Sequence, residues 1–269
     1  MALAGTVRSP LMELAYSDRG RGQPVLFIAG RGAVGRTWQL HQVPAFLGAG
    51  YRVITFDNRG VGATGDLDGF SLATMVDDTI VVIEALGAAP VNIVSTSLGS
   101  LIAQELMLVR PDLVNRSALM ATRGRHDRAR RFLRDTDEEL ADLSLPPKLD
   151  AKIRLLEGLS PKTLNDDEAV QEWIHLFTMW PTKSTPGLRA QYKVTADEGR
   201  LAAYRNITKP VLVVGFADDL VSPPHLGAEV AAALPNGTYL EIADAGHLGF
   251  LERPQEVNSA ILQFFAETG

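Results

Sequence analysis

The chain has 269 residues, 46% of them hydrophobic and 22% charged, with a formal net charge of −6 and no cysteine. This composition predicts a soluble globular protein and gives no reason to expect a nucleic-acid partner. The lack of cysteine excludes disulfides, a cysteine nucleophile and a thiolate metal site. The length fits one α/β domain with an inserted subdomain better than two equal halves.

The first ten residues lack the long apolar run of a signal peptide. No later stretch reaches the roughly 18 apolar residues of a membrane span. We therefore expect a cytoplasmic protein with no membrane partner, while the oligomeric state stays open.

Short apolar runs alternate along the chain with longer segments of helical period. An antiparallel edge strand is expected first, at Leu11–Tyr16. Further strands are predicted at Pro24–Ala29, Arg52–Phe56, Val91–Ser95, Val211–Gly215 and Tyr239–Ile242. Helices are predicted at Ser71–Leu86, Leu98–Arg110, Ala228–Leu234 and Glu256–Phe265. This rhythm predicts an α/β fold with a mostly parallel, doubly wound sheet.

The rhythm stops between residues 123 and 208, where helical and turn segments contain no convincing buried strand. The clearest helix of this stretch is Asp166–Phe177. Such an insertion would sit over the carboxyl ends of the strands, where α/β folds bind ligands. We therefore expect a core formed by residues 1–122 and 209–269 and a helical cap formed by residues 123–208.

A candidate nucleophile lies between a predicted strand and a predicted helix, in the segment Ser95–Gly99. A tight strand-to-helix turn would expose the oxygen of Ser97 above the sheet, beside the N–H groups of the helix N-terminus. The turn needs small residues two before and two after the serine; Gly99 supplies one, and Ser95 stands where glycine is usual. The alternative is that Ser97 is an ordinary helix N-cap.

Two further groups complete a possible catalytic triad. Asp218 ends a later strand and His247 follows the next one, which gives the chain order Ser, Asp, His of one known class of hydrolase. Asp219 is an adjacent competitor for the acid position, and Asp127 is a remoter one. Three such groups in this order, each after its own strand, predict nucleophilic catalysis by Ser97.

The glycine-rich loop at Gly30–Gly35 admits two interpretations. It could form an oxyanion hole, in which the backbone N–H groups of Arg31 and Leu98 face a developing negative charge. The Arg31 side chain could then bind a substrate carboxylate, or it could face solvent. The same loop also matches G-x-G-x-x-G, with Asp57 about 20 residues on, as in dinucleotide-binding proteins. That alternative leaves Ser97, Asp218 and His247 unexplained.

With these motifs the chain resembles α/β-hydrolase proteins over nearly its full length. The resemblance rests on the loop at Gly30, the elbow at Ser97, and the motifs at Asp57–Gly62, Gly215–Asp218 and Gly246–Pro254. Within that superfamily the chain is similar to the branch called non-haem bromoperoxidases. The resemblance implies an α/β-hydrolase fold, a serine esterase site without metal or organic cofactor, and halogenation as a side reaction through a peracid.

These observations predict a serine hydrolase that acts on a small-molecule ester, thioester or related acyl compound. The alternatives are a perhydrolase or haloperoxidase, and a hydrolase fold reused for natural-product tailoring or acyl binding without hydrolysis. Aromatic and sulfur side chains of the cap could line a pocket for an apolar acyl group, although they could equally pack the cap on the core. These residues are Trp173, Phe177, Met179 and Trp180.

Overall fold

A computed structural model describes residues 2–8, 13–65, 69–194 and 199–267. Its strands are β1 (Ala2–Arg8), β2 (Glu13–Arg19), β3 (Pro24–Ile28), β4 (Arg52–Phe56), β5 (Val91–Thr96), β6 (Val114–Met120), β7 (Val211–Phe216) and β8 (Gly237–Ile242). They form one sheet in the spatial order β1-β2-β4-β3-β5-β6-β7-β8. The strands β1 and β2 are antiparallel to their neighbours and the rest are parallel, so the predicted α/β fold with a mostly parallel sheet is confirmed.

Helices flank the sheet on both faces and fill the long connection between β6 and β7. They are α1 (Gln42–Gly48), α2 (Leu72–Ala85), α3 (Leu98–Val109), α4 (Arg128–Ala141), α5 (Pro147–Gly158), α6 (Pro161–Leu164), α7 (Asp167–Met179), α8 (Pro186–Lys193), α9 (Leu201–Tyr204), α10 (Pro224–Ala233), α11 (Gly249–Glu252) and α12 (Pro254–Ala266). We call the helices α4 to α9 the helical insertion. The stretch predicted as a cap includes residues 195–198, which lie outside the described residues, and its standing as a separate domain stays a prediction.

The edge of the sheet differs from the expectation. The strand predicted at Leu11–Tyr16 begins at Glu13, and Leu11 and Met12 lie outside the described residues. It is not an edge strand, because β1 pairs with it along its full length. The prediction missed β1 because Ala2–Arg8 mixes small, apolar and charged residues without a clear alternation.

The core consists of two apolar layers, one on each face of the sheet. Alternate residues of β3 separate them, because successive side chains of a strand point to opposite faces. Leu26 and Ile28 pack in the layer that contains α2, α3 and α10, whereas Val25 and Phe27 pack in the layer with α1 and α12. The helical insertion contacts the loops at the carboxyl ends of β3 and β4, where Gln191 of α8 is hydrogen-bonded to Gly32 and Arg59.

Candidate active site

Ser97 occupies a strained turn between β5 and α3. Its backbone adopts φ 52° and ψ −119°, a region that costs a non-glycine residue of order 1–3 kcal/mol. The amide of Ser97 donates to the carbonyl of Met120 at 3.0 Å, which fixes the turn against β6. The Ser97 side chain does not cap α3, and Ser97 is partly exposed between buried neighbours. The geometry is that of a nucleophile elbow rather than of an ordinary N-cap.

The small residues around Ser97 permit this turn. A side chain at position 99 would collide with the backbone carbonyl oxygen of Ile28, so only glycine fits there. Ser95 is fully buried, and its hydroxyl lies 3.1 Å from that of Ser100 and 3.3 Å from the carbonyl oxygen of Ala118. The serine that replaces the usual glycine is therefore accommodated with its polar group satisfied.

His247 is oriented by Asp219 and not by Asp218. The Nδ1 atom of His247 lies 2.9 Å from Oδ2 of Asp219, whose side chain is completely buried. A turn after β7, in which the amide of Asp219 donates to the carbonyl of Phe216, directs this carboxylate inward. The assignment of the triad acid to Asp218 is therefore corrected by one position. The alternative at Asp127 is also excluded, because that side chain caps α4.

Each oxygen of the Asp219 carboxylate has a defined partner. Oδ1 accepts hydrogen bonds from the amides of Val221 and Ser222 at 2.8 and 2.7 Å, and Oδ2 faces the imidazole. By contrast, Asp218 is half-buried, and its own amide donates to the carbonyl of Ala245 at 2.9 Å. Asp218 thus fixes the backbone before His247, and Asp219 holds the imidazole ring through Nδ1, which leaves Nε2 outside this contact.

The glycine loop after β3 adjoins the elbow. A methyl group built on Gly30 would lie 3.3 Å from Cβ of Ser97, which shows how closely the two turns approach. The amide of Gly32 donates to Oε1 of Gln191 at 2.8 Å, and Nε2 of Gln191 donates to the carbonyl of Arg59 at 2.7 Å. Gln191 in α8, which sequence analysis did not single out, thereby fixes this loop. The assignment of the Arg31 and Leu98 amides as oxyanion donors stays a prediction.

The loop that carries His247 is anchored by Glu252. Its Oε2 accepts the amide of Gly246 at 2.7 Å, and its Oε1 accepts the amide and the hydroxyl of Ser160, each at 2.9 Å. On the other side of the histidine, the amide of Leu248 donates to the carbonyl of Gly158 at 2.9 Å. The segment between α5 and α6 therefore holds the backbone on both sides of His247.

Comparison with known proteins decides the family. A model described as "Alpha/beta hydrolase family" matches residues 25–260. The chain belongs to the alpha/beta hydrolase family. This result agrees with the resemblance inferred from the motifs and with the observed sheet.

Two similar proteins cover nearly the whole chain, and the structure of one of them has been solved. A Mycobacterium tuberculosis protein named "Putative non-heme bromoperoxidase BpoC" is 62% identical over 258 residues, which are 95% of this chain and 98% of that protein. The crystal structure of BpoC superposes with a TM-score of 0.92 at 63% identity, covering 94% and 95% of the two chains. A more distant relative, (E)-2-((N-methylformamido)methylene)succinate hydrolase of Acinetobacter baylyi, is 28% identical and covers 94% of each chain.

The dinucleotide alternative does not suit the glycine loop of this alpha/beta hydrolase. Both carboxylate oxygens of Asp57 are engaged by backbone, one by the amide of Gly35 at 2.8 Å and the other by that of Ala63 at 2.9 Å. Asp57 thus joins the glycine loop to the turn after β4 and is not turned toward a ribose hydroxyl. A short 3₁₀ helix at Gly35–Gln39, rather than an α-helix, follows the loop.

The four residues predicted to line an apolar substrate pocket do not form that pocket. Met179 and Trp180 are 58% and 61% exposed, at the end of α7 and beyond it. Phe177 is buried and packs against the half-buried Trp173 and the guanidinium of Arg154. The four residues do not form an apolar lining together, because the buried face of α7 is used for packing inside the insertion.

Charged side chains of the insertion instead lie near enough to His247 to interact with it electrostatically. Burial raises the pKa of Asp137 in α4. The nearby Arg31, Arg123 and His247 oppose this rise, but their effect is smaller. Burial likewise raises the pKa of Glu157 in α5, with an opposing influence of His247. These groups were missed, because the sequence shows only that α4 and α5 are rich in charge. The site is charged rather than apolar.

Two general properties concern the described residues. Among residues 2–8, 13–65, 69–194 and 199–267, no group of three or more histidine or carboxylate side chains is arranged to hold a metal ion. In the same part of the chain, no helix is long and apolar enough to cross a membrane.

Proposed function

We propose that this chain is a serine hydrolase that cleaves an ester, thioester or related acyl bond of a small molecule through an acyl-enzyme on Ser97. The observation that carries the proposal is the partly exposed serine at a strained elbow, on the sheet edge that also carries the Asp219–His247 pair. Membership in the alpha/beta hydrolase family supports the same conclusion.

In the first half of the reaction, Nε2 of His247 takes the proton of Ser97 as Oγ attacks the acyl carbon. Asp219 keeps Nδ1 protonated and stabilises the imidazolium that forms. The carbonyl oxygen becomes an oxyanion, which the amides of Arg31 and Leu98 stabilise by about 3 kcal/mol per donor. As the intermediate collapses, His247 returns the proton to the leaving group.

In the second half, water attacks the acyl-enzyme and gives its proton to His247. The acid departs, and the same proton restores the hydroxyl of Ser97. The strained backbone of Ser97 presents its oxygen in one fixed direction, which limits the reorganisation needed in both halves.

A second candidate function is perhydrolysis, favoured by the high identity to the protein named as a non-heme bromoperoxidase. Hydrogen peroxide would replace water as the nucleophile that attacks the acyl-enzyme, and it would release a peracid. The peracid would then oxidise bromide in solution. This reaction uses the same Ser97, so it extends the hydrolase mechanism rather than competing with it.

Hydrolysis of p-nitrophenyl acetate by the wild type and by Ser97→Ala tests the proposal. We expect turnover by the wild type and none by the variant, with both proteins giving the same circular dichroism spectrum. Bromination of a dye should require acetate and peroxide together, and it should also vanish in Ser97→Ala. Full ester turnover by Ser97→Ala would overturn the proposed mechanism, and bromination without acetate would overturn the peracid route.

A further inference from the structure

The side chain of Arg31 lies under the helical insertion instead of in solvent. Only 20% of it is exposed, and its guanidinium carbon stands 4.7 Å from the ring centroid of Tyr192 in α8. Stacking of a planar guanidinium on an aromatic face restricts its movement. The preceding Gly30 packs closely against Ser97, so the backbone of Arg31 adjoins the candidate nucleophile.

Asp137 of the insertion faces this cation at long range. The distance from Nη1 of Arg31 to Oδ2 of Asp137 is 3.9 Å, whereas a charge-assisted hydrogen bond is about 2.7–2.9 Å. Asp137 belongs to α4, and the helix fixes how far its short side chain can reach. A mobile carboxylate could approach the planar guanidinium more closely and with both oxygens, so it could displace Asp137.

A second cation lies close to Arg31. Burial is the main reason that the pKa of Arg123 falls to about 10. The charge of the nearby Arg31 lowers this pKa further. Both arginines and His247 act to lower the pKa of Asp137. Asp137 therefore faces two cations near His247, and a carboxylate that replaced it would meet the same charges.

We infer that Arg31 binds a carboxylate group of the substrate, and that Asp137 occupies this position when substrate is absent. The inference rests on the proposed hydrolase function and gives it a substrate class, namely small esters that carry a free carboxylate. The ester carbonyl would then lie at Ser97 while the carboxylate is held at the adjacent Arg31.

Binding can be measured without turnover. In the Ser97→Ala background, calorimetry with monomethyl succinate should detect binding, and adding Arg31→Gln should weaken it by about tenfold or more, as expected for loss of a charge-assisted pair. Asp137→Asn in the same background should tighten binding, because it removes the competing carboxylate. Arg36→Gln, at an exposed position of the same loop, is the matched control and should change nothing.

Turnover gives a second readout with active Ser97. The ratio of kcat/KM for p-nitrophenyl hemisuccinate to that for its uncharged isostere, p-nitrophenyl 4-methylpentanoate, should fall about tenfold in Arg31→Gln. The ratio should rise in Asp137→Asn and stay constant in Arg36→Gln. Use of a ratio removes any general effect of the substitution on the loop.

The results separate this inference from the hydrolase proposal. Equal binding of monomethyl succinate with and without Arg31, or no binding in either background, would overturn the carboxylate site even if esters are hydrolysed. An equal loss of both esters in Arg31→Gln would also overturn it. Failure of Ser97-dependent turnover of either ester would instead overturn the hydrolase function, and the binding experiment would still decide the role of Arg31.

Discussion

The Ser97 turn and the His247 loop lie at the same edge of the sheet but are held in different ways. Ser97 is fixed by the sheet and its own helix, through the carbonyl of Met120 and the close approach of Gly99 to Ile28. The His247 loop is fixed largely by the insertion and by Glu252. The proposed nucleophile is thus held by the core, whereas the position of the proposed base depends on contacts between distant parts of the chain.

This difference predicts which substitutions should disturb each of the proposed catalytic groups. A change in the insertion should leave the elbow and the fold intact but should misplace the imidazole. A change within the sheet should instead affect stability and both groups together. Apart from replacement of Ser97 itself, substitutions that alter kcat at constant folding stability should therefore lie on the His247 side.

The largest effect on the His247 side is expected from Asp219→Asn. Without the carboxylate, the imidazole is no longer held with Nδ1 protonated, and the imidazolium loses the group that stabilises it. We therefore expect kcat to fall by up to roughly 10⁴-fold. Asp218→Asn is the matched control, because it makes the same isosteric change one residue away in a side chain that does not face the ring. Steady-state kinetics on one ester measures both, and comparable losses would mean that Asp219 does not orient His247.

The sequence predicted the central strands well but did not define the site fully. Buried apolar runs gave β3, β4, β5 and β7 within about one residue, because parallel strands covered on both faces are almost continuously apolar. The prediction missed β6, where Asn115 and Arg116 interrupt the run; Arg116 reaches the carbonyl of Glu267 beyond α12.

The errors at the site arise from geometry that the sequence pattern does not show. Asp218 and Asp219 are neighbours of the same type, and only the turn onto Phe216 decides which one points inward. The buried face of α7 depends on its packing with Arg154, which its own periodicity cannot reveal. By contrast, Ser97 and His247 each follow a strand, as the sequence predicted, because that signal is local.

The next largest effect is expected from Glu252→Gln. Glutamine can replace only one of the two acceptor oxygens, so its amino group would face either Ser160 or the amide of Gly246, both of which are donors. We expect kcat to fall about tenfold with little change in KM, and the pH profile of kcat to shift because the imidazole moves. Glu256→Gln, at an exposed position in α12, is the control. Equal kinetics for the two variants would contradict the anchoring role.

A smaller effect is expected from Lys162→Met. The ammonium of Lys162 in α6 lies 2.7 Å from Oδ2 of Asp244, and the side chains are 63% and 50% exposed. Lys162 also lowers the pKa of Asp244. Exposed ion pairs contribute at most about 1 kcal/mol and weaken with salt. We expect kcat/KM to fall less than about fivefold at low salt and not at all at high salt, with Lys148→Met unchanged; a salt-independent loss would argue against an electrostatic role.

The smallest effect on activity at neutral pH is expected from His126→Gln. His126 lies at the junction between β6 and the insertion, and we expect its replacement to affect stability instead of activity. Burial and then the charge of Arg123 lower the pKa of His126 to about 4, and Nε of Arg123 donates to its Nε2 at 3.1 Å. The unfolded chain, with an ordinary histidine pKa of about 6.5, binds more protons between these values. The free energy of unfolding should therefore decrease as the pH falls from about 6.5 to 4.

Urea unfolding at pH 7 and pH 5 checks this expectation. The loss of stability between the two should be smaller in His126→Gln than in the wild type, because the substituted residue does not titrate. His175→Gln removes an exposed histidine and should behave as the wild type. An identical pH dependence in all three proteins would show that His126 is not the buried neutral group inferred here.

The central claim is that Ser97 is a nucleophile activated by the Asp219–His247 pair, and covalent labelling tests it most directly. A fluorophosphonate should modify the wild type at one residue, identified as Ser97 by mass spectrometry of peptides. Ser97→Ala should remain unlabelled, and Asp219→Asn should be labelled at Ser97 far more slowly than Asp218→Asn. Modification at Ser95 or elsewhere, or equal labelling rates in the two aspartate variants, would contradict the account.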